Sequence, residues 1–80
     1  MKVRVRFFAS FREKIQREYE DFELNGNATV KDLQEKIAET HPGVFDGARA
    51  MVSVNYSYAE PGQEISEGDE LAVMPLASGG

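Results

Sequence analysis

Polar and apolar residues alternate over residues 2–8, which predicts a β-strand with one buried face. Shorter stretches of the same kind predict further strands at residues 18–24, 51–55 and 71–74. The residues expected to face the core from these strands are Val3, Val5, Phe7, Phe22, Leu24, Val52, Val54, Leu71 and Val73. The pattern therefore predicts two strands early in the chain and two late.

Helical spacing occurs in two segments between these strands. Residues 9–16 predict a short helix with Ser10 as its N-cap. The clearer helix begins at Thr29, which together with Asp32 resembles a capping box. Its apolar stripe consists of Val30, Leu33 and Ile37. We expect it to end before Pro42, because the residue preceding a proline is disfavoured in helical conformation.

The order of these elements predicts the fold class. Strand, short helix, strand, long helix and returning strands give an α+β layer pair. We predict a ubiquitin-like β-grasp, with a mixed sheet of four to five strands packed against one main helix plus short helices. Residues 1–76 are expected to form this domain, with Pro75 ending the pairing of the last strand. Residues 77–80, called the tail below, are expected to be flexible because they carry no apolar anchor.

Size and composition exclude several classes of function. Eighty residues form one domain, which has little core to spare for a deep catalytic cleft. The absence of cysteine excludes disulfides and thiolate chemistry and fits a cytoplasmic protein. No apolar run approaches the roughly 20 residues of a membrane span. We therefore expect no membrane association.

The net charge of −5 comes entirely from the second half of the chain. Residues 1–40 are balanced, whereas residues 41–80 contain one arginine and six acidic residues. Nucleic acid is an unsuitable partner, because phosphate binding requires a clustered basic surface. The acidic half would steer a basic protein partner, although solubility alone also explains such a charge.

No group of side chains predicts catalysis or metal binding. His41 is the single histidine and has no second ligand nearby in sequence, so we predict no metal site. The acidic residues around Gly68 fit a turn better than a calcium loop. Ser78 has no histidine placed to activate it. The chain is accordingly expected to be non-catalytic alone and to bind no cofactor stably.

The chain end itself is the candidate reactive group. Two final glycines occur by chance in roughly one chain in 200 at average glycine usage of about 7%. Without Cβ atoms, Gly79 and Gly80 allow the backbone to enter a narrow channel and expose the terminal carboxylate. That carboxylate is ionised at neutral pH and is a poor electrophile. Adenylation by ATP in a partner's active site would make its acyl carbon reactive.

The sequence resembles the superfamily of molybdopterin-synthase small subunits and thiamin sulfur carriers, specifically the molybdopterin side. The resemblance covers nearly the whole chain. It is carried by Val5-Arg6-Phe7-Phe8-Ala9, Arg12-Glu13, Thr29-Val30, Leu33, Val54-Asn55, Ile65, Glu67-Gly68-Asp69-Glu70-Leu71-Ala72, Pro75 and Gly79-Gly80.

This resemblance implies a three-stage cycle centred on Gly80. An activating enzyme adenylates Gly80 using ATP, and a sulfurtransferase system converts the adenylate to a thiocarboxylate. The large subunit of molybdopterin synthase then takes the sulfur to build the dithiolene of molybdopterin. The chain would thus be the small subunit of a sulfurtransferase, with ATP consumed by its activating enzyme.

The resemblance also implies a docking surface at Phe8, Tyr58 and Met74. The alternation of the strands places Phe8 and Met74 away from the core, although covering a satellite core is the alternative. The chain end from Pro75 through Leu76, Ala77 and Ser78 to the glycines would enter the partner. Two features depart from the family pattern: Leu76 replaces the second of two prolines, and Met74 replaces an aromatic residue.

Other functions remain open at this stage. The activated carboxylate could be joined to a lysine amine, as in ubiquitin-like modifiers, because the partners and not this chain select the acceptor. Sulfur delivery to thiazole or tRNA is a related alternative, but thiamin carriers are usually shorter and lack the Phe-Phe-Ala start. A plain interaction module with incidental glycines is the third alternative, and it would tolerate loss of Gly80.

Overall fold

The computed structural model describes residues 1–45 and 49–76. Two helices and five strands lie in these ranges. In chain order they are β1 (Lys2–Phe7), α1 (Ala9–Ile15), β2 (Tyr19–Glu23), α2 (Val30–Thr40), β3 (Ala50–Val54), β4 (Ser57–Tyr58) and β5 (Leu71–Pro75). The strands form one sheet in the order β2-β1-β5-β3-β4, with β1 and β5 parallel and the other pairs antiparallel. The predicted α+β class with a mixed sheet is confirmed.

The core lies on one face of the sheet. Alternate residues of β1 are buried, as the sequence pattern predicts. The rings of Phe7 and Phe22 pack edge to face, with their centres 6.4 Å apart. Phe11 of α1 packs against Phe45 in the same way, with the ring centres 5.2 Å apart. The stripe of α2, together with Val44 and Ile65, completes the core. Each fully buried side chain of this size contributes about 1.5–3 kcal/mol through loss of apolar surface from water.

The two helices begin differently. At α2, Asp32 Oδ2 accepts the Thr29 N–H at 2.9 Å, and Thr29 Oγ1 accepts the Asp32 N–H at 3.3 Å. The predicted capping box is therefore confirmed. The short helix predicted at residues 9–16 is present as α1, but its predicted N-cap was wrong, since Ser10 lies inside the helix and Phe8 is the N-cap without a side-chain hydrogen bond. Phe8 stays extended because its N–H donates to Val73 O at 3.1 Å, so the helix begins immediately after the sheet.

Strand β5 continues through Pro75, which corrects the prediction that this proline ends pairing. Pro75 pairs with Ala50, and the Leu76 N–H donates to Arg49 O at 2.8 Å. Successive N–H groups of a strand point to opposite sides. Because the Leu76 N–H points toward β3, the nitrogen of Pro75 must face β1. The pairing of β1 with β5 has already ended at Val73. The missing N–H therefore costs no hydrogen bond.

Strand β4 has no counterpart among the segments predicted individually. Two residues are too few to show alternation, and the preceding Asn55-Tyr56 lacks glycine. Both turn residues nevertheless have positive φ, 52° and 71°, as in a tight type I′ hairpin. Further along, Ile65 is confirmed as a buried anchor, and its N–H donates to Ala28 O at 2.9 Å. In the described ranges, no helix is long and apolar enough to cross a membrane.

Candidate functional site

Side chains from all five strands line an open basin on the sheet face opposite the core. One row of paired positions crosses the whole sheet through Tyr19, Arg6, Ala72, Ser53 and Tyr58. The basin has a volume of about 980 Å³. This surface, called the open face below, is lined by Arg6, Phe8, Tyr19, Tyr56, Tyr58, Glu70 and Met74, among others.

Arginine and aromatic rings are held together on the β1 side of the open face. The guanidinium carbon of Arg6 lies 4.7 Å from the centre of the Phe8 ring and 5.6 Å from that of Tyr19. Arg6 Nη2 also lies 3.0 Å from Glu18 Oε2. The three contacts restrict the guanidinium before any partner arrives. Arginine and tyrosine are both enriched among the residues that contribute most to binding at protein interfaces.

A second ion pair lies further along the same strands. Arg4 Nε donates to Asp21 Oδ1 at 3.0 Å, between directly paired residues of β1 and β2. This hydrogen bond is the main cause that lowers the pKa of the Asp21 carboxyl below its usual 3.8 and raises that of Arg4. Lys2 Nζ also lies 3.7 Å from Asp21 Oδ2, so this end of the open face has two cationic side chains around one carboxylate.

The three residues predicted to dock a partner are brought together here. Phe8, Tyr58 and Met74 all line the basin. Tyr58 is 70% exposed, whereas Phe8 and Met74 are half-buried. Neither Phe8 nor Met74 belongs to the main core cluster, which agrees with the outward orientation predicted from alternation. Their docking role itself stays a prediction.

The chain end leaves from the same sheet. Pro75 is half-buried at the end of β5, and Leu76 follows with 40% of its surface exposed. The remaining predicted site residues, Ala77, Ser78, Gly79 and Gly80, lie outside the described residues. The structure therefore shows the end of the strand that precedes the tail. The reactivity of Gly80 stays a prediction.

The hairpin residue Tyr56 is a basin residue that the sequence did not single out. It is 85% exposed, and its hydroxyl donates to the Glu70 carboxylate. That hydrogen bond, followed by the charge of the carboxylate, raises the pKa of the Tyr56 phenol above its usual value. The signal that could have identified it is the Asn55-Tyr56 pair directly after a predicted strand, since Asn readily adopts positive φ.

Charge is distributed unevenly around this face. Within the described residues, every ion pair joins groups from residues 1–41. The five acidic residues between positions 60 and 70 are in none of these pairs, and residues 46–48 and 77–80 contain no cationic side chain. Two of the five, Asp69 and Glu70, line the open face, which therefore carries part of the negative charge of the second half of the chain.

His41 has a structural contact away from the basin. Its Nε2 lies 2.6 Å from Glu20 Oε1, which joins the end of α2 to β2. Neither residue lines the open face. In the part of the chain that the structure describes, no three His, Cys, Asp or Glu residues are arranged to hold a metal ion.

Known proteins with similar sequence or structure share both the length and the fold. A molybdopterin synthase sulfur carrier subunit from Chlamydomonas reinhardtii is 32% identical, with both chains covered completely. A putative molybdopterin converting factor subunit 1 from Pyrococcus furiosus has a TM-score of 0.86 at 30% identity, covering 96% of this chain and 99% of that one.

The structure of SAMP1 from Haloferax volcanii has a TM-score of 0.83 at 28% identity, with both chains covered completely. These likenesses confirm the predicted ubiquitin-like β-grasp. The family model described as the ThiS family matches residues 5–80. Since that match includes nearly every residue, the chain belongs to the ThiS family.

Proposed function

We propose that this protein is a sulfur carrier for molybdopterin synthesis and that sulfur is carried on the carboxyl group of Gly80. The observation that supports it most directly is the complete-length likeness to a molybdopterin synthase sulfur carrier subunit. The structure adds a sheet whose last strand leads straight into a tail ending in two glycines. The large subunit of the synthase is the proposed final partner.

The chemistry requires that the terminal carboxylate lose its charge. A Gly80 carboxylate oxygen attacks the α-phosphorus of ATP in the activating enzyme, and pyrophosphate leaves. Hydrosulfide then attacks the acyl carbon and expels AMP, which leaves a thiocarboxylate. A persulfide on a sulfurtransferase serves equally if a thiol reduces the resulting acyl disulfide. This chain supplies the unhindered acyl end, and its partners supply ATP and sulfur.

The open face is proposed as the surface that holds the chain while the tail reacts. A flexible tail loses conformational entropy when it enters a channel, and docking of the folded body offsets that cost. Phe8, Tyr58 and Met74 provide apolar and aromatic contacts, and the Arg6 guanidinium lies over the Phe8 ring. Because β5 contributes to this face and also carries the tail, docking and threading are geometrically linked.

A second function, as a protein modifier, is favoured by the likeness to SAMP1. The structure of H. volcanii small archaeal modifier protein 1 has the same fold at 24% identity. The activation step is the same, but a lysine amine attacks the adenylate and forms an isopeptide bond to Gly80. Sulfur delivery to thiamin or tRNA remains a further outcome of the same activation. In each case the partner determines the acceptor.

Intact mass and peptide mapping test the carrier proposal. The protein is incubated with its activating enzyme, ATP and a sulfur source, and we expect a gain of about 16 Da, oxygen replaced by sulfur at the acyl carbon. The gain must map to Gly80, because oxidation of Met51 or Met74 gives the same mass. A variant lacking Gly80 is the control. An unmodified Gly80 under conditions that thiolate an established carrier would overturn the proposal.

Adding cell lysate to the same reaction tests the modifier alternative. Conjugates of higher mass that contain a Gly80 isopeptide linkage would establish it. Lysate that yields only the thiocarboxylate supports a dedicated carrier. The absence of both products, with an activating enzyme shown to be active, would leave the interaction module as the better explanation.

A further inference from the structure

The hairpin of β3 and β4 brings two of the three tyrosines of the chain to the open face. Tyr56 is 85% exposed and Tyr58 is 70% exposed. Strand β4 itself consists of Ser57 and Tyr58 alone, and both are exposed. Apolar burial therefore does not fix the place of this edge strand, and a short hairpin of this kind is only marginally stable by itself. The position of the two tyrosines depends on other contacts.

Asn55 joins this hairpin to the residues just before β5 through three hydrogen bonds. Its backbone N–H donates to Glu70 O at 2.8 Å. Its side-chain Oδ1 accepts the Glu70 N–H at 2.9 Å, and its Nδ2 donates to Asp69 Oδ1 at 3.0 Å. The side chain of Asn55 thus serves as acceptor and donor at the same time.

The side-chain oxygen of Asn55 takes the place of a backbone acceptor. Val54 lies opposite Leu71 in the pairing of β3 with β5, so the next pair in register is Asn55 with Glu70. Residues of an antiparallel ladder that form a hydrogen-bonded pair exchange two N–H to O=C bonds. The chain turns at Asn55 with φ 52°, and the second bond goes to Oδ1 instead. An asparagine here continues the ladder by one pair while the main chain reverses.

The turn that receives the Asn55 side chain is itself closed by hydrogen bonds. Asp69 Oδ2 accepts the Ser66 N–H at 2.7 Å, and the Asp69 N–H donates to Ser66 O at 3.1 Å. Tyr56 adds a further contact, since its hydroxyl donates to the carboxylate of Glu70. The hairpin is therefore attached to an ordered turn and not to a freely moving loop.

We propose that Asn55 is a positioning residue, whose side-chain amide holds the β3–β4 hairpin against the turn before β5 and so places Tyr56 and Tyr58 for docking. This inference rests on the proposed function, since it concerns the surface that docks the activating enzyme. Side chains that are already in place lose less entropy when a partner binds. A loosened hairpin should therefore weaken docking without changing the chemistry at the chain end.

Reversing the donor and the acceptor of one hydrogen bond tests this role. Asn55→Asp removes the donor and sets a carboxylate against Asp69, whereas Asp69→Asn sets an amide against the amide of Asn55. In the double variant Asn55→Asp/Asp69→Asn, the carboxylate at position 55 accepts from the amide at position 69, whose oxygen remains for the Ser66 N–H. The single variants change the net charge in opposite directions, and the double variant leaves it unchanged.

The dissociation constant for the activating enzyme, measured by calorimetry without ATP, reports docking alone. We expect each single variant to raise Kd about five- to tenfold and the double variant to return it to within about twofold of the parent. The kcat of pyrophosphate release should change by less than about twofold in all three. An effect of charge alone would move the two single variants in opposite directions and would overturn the proposal. Single variants that bind like the parent would do the same.

Removing the two tyrosines provides a control that a purely structural role would fail. In the Tyr56→Ala/Tyr58→Ala background, Asn55→Asp should change Kd by less than about twofold, because the hairpin then presents no ring to be placed. The full five- to tenfold loss in this background would show that Asn55 does not act through the tyrosines, and the positioning role would be overturned.

Amide hydrogen exchange tests the hold on the hairpin without any partner. The Ala59 N–H donates to Val52 O at 2.9 Å, just beyond β4. We expect it to exchange at least about fivefold faster in Asn55→Asp than in the parent. The Phe8 N–H, which donates to Val73 O on the other side of β5, is the internal control and should change by less than about twofold. Equal Ala59 rates in the two proteins would overturn the proposal.

Failure of the proposed function has a different signature. A parent that binds the activating enzyme but releases no pyrophosphate removes the carrier reaction, whereas the Kd values still decide the role of Asn55. A parent that is activated normally, with a Kd that does not respond to Asn55→Asp, removes only the inference about Asn55.

Discussion

The two faces of the sheet differ in what their side chains do, and the neighbours Phe7 and Phe8 show it most clearly. Phe7 is buried in the core, where it contacts Phe22. Phe8 points to the other face, is half-buried and packs beneath the guanidinium of Arg6. The core face stabilises the fold through apolar burial, whereas the open face leaves aromatic and charged groups at the surface. This second face is the one proposed above to dock a partner.

The largest expected effect tests the core half of this comparison. Phe7→Ala should lower the free energy of unfolding by about 3–5 kcal/mol, because it removes buried surface and leaves a cavity. Phe8→Ala is the matched control and should cost less than about 1.5 kcal/mol, since Phe8 lies outside the core. Urea unfolding measures both. Equal losses would show that the two faces do not differ in their contribution to stability.

The next effect tests the open face. Tyr58→Ala should raise the KM of the carrier for the activating enzyme about tenfold, corresponding to about 1.4 kcal/mol, because tyrosine is enriched among the residues that contribute most to binding. Its free energy of unfolding should change by less than about 0.5 kcal/mol. Glu35→Ala on the exposed side of α2 is the control and should leave KM unchanged. An unchanged KM in the tyrosine variant would remove Tyr58 from the docking surface.

The sequence predicted these two faces with unequal success. Alternation identified the core face because burial imposes a period of two, and it placed Arg6 outward by the same rule. The resemblance supplied Phe8, Tyr58 and Met74 as docking residues. Tyr56 was missed because its place depends on a hairpin with positive φ at two residues other than glycine. Asn55 at the end of a predicted strand is compatible with such a turn, but the pairing of β3 with β4 is needed to establish it.

The end of β5 was misjudged for a related reason. Proline removes a hydrogen-bond donor, so Pro75 was expected to end pairing. Whether that loss matters depends on which side of the strand the nitrogen faces, and this is a property of the sheet order. Because β5 lies between β1 and β3, and β1 has already ended, Pro75 interrupts nothing. Sheet order is a long-range property that local sequence does not specify.

A smaller effect is expected at Tyr56, where two substitutions separate the backbone strain of the turn from the contact of the side chain with a partner. Positive φ disfavours any residue with a Cβ atom, so Tyr56→Gly relieves strain that Tyr56→Ala retains. We expect the glycine variant to be more stable than the alanine variant by about 0.5–1 kcal/mol, after allowing for the greater freedom of glycine in the unfolded chain. Both should weaken binding to the activating enzyme. A glycine variant less stable than the alanine variant would show that the turn is not strained.

The smallest expected effect concerns the ion pairs of the open face. The hydrogen bond from Arg4 depresses the pKa of Asp21 in the folded protein below 3.8, so protons bind the unfolded chain more readily. The stability contributed by this pair is present above pH 3.8 and is lost as the pH falls through the lower, folded pKa. The urea concentration at the midpoint of unfolding should therefore fall less steeply with decreasing pH below pH 4 in Asp21→Asn than in the parent. At pH 7 the two midpoints should differ little, because the pair is exposed. If the midpoints of the two proteins fell in parallel over that pH range, Asp21 would have the same pKa in the folded and the unfolded chain. The ion pair of Arg4 and Asp21 would then make no measurable contribution to the stability of the open face.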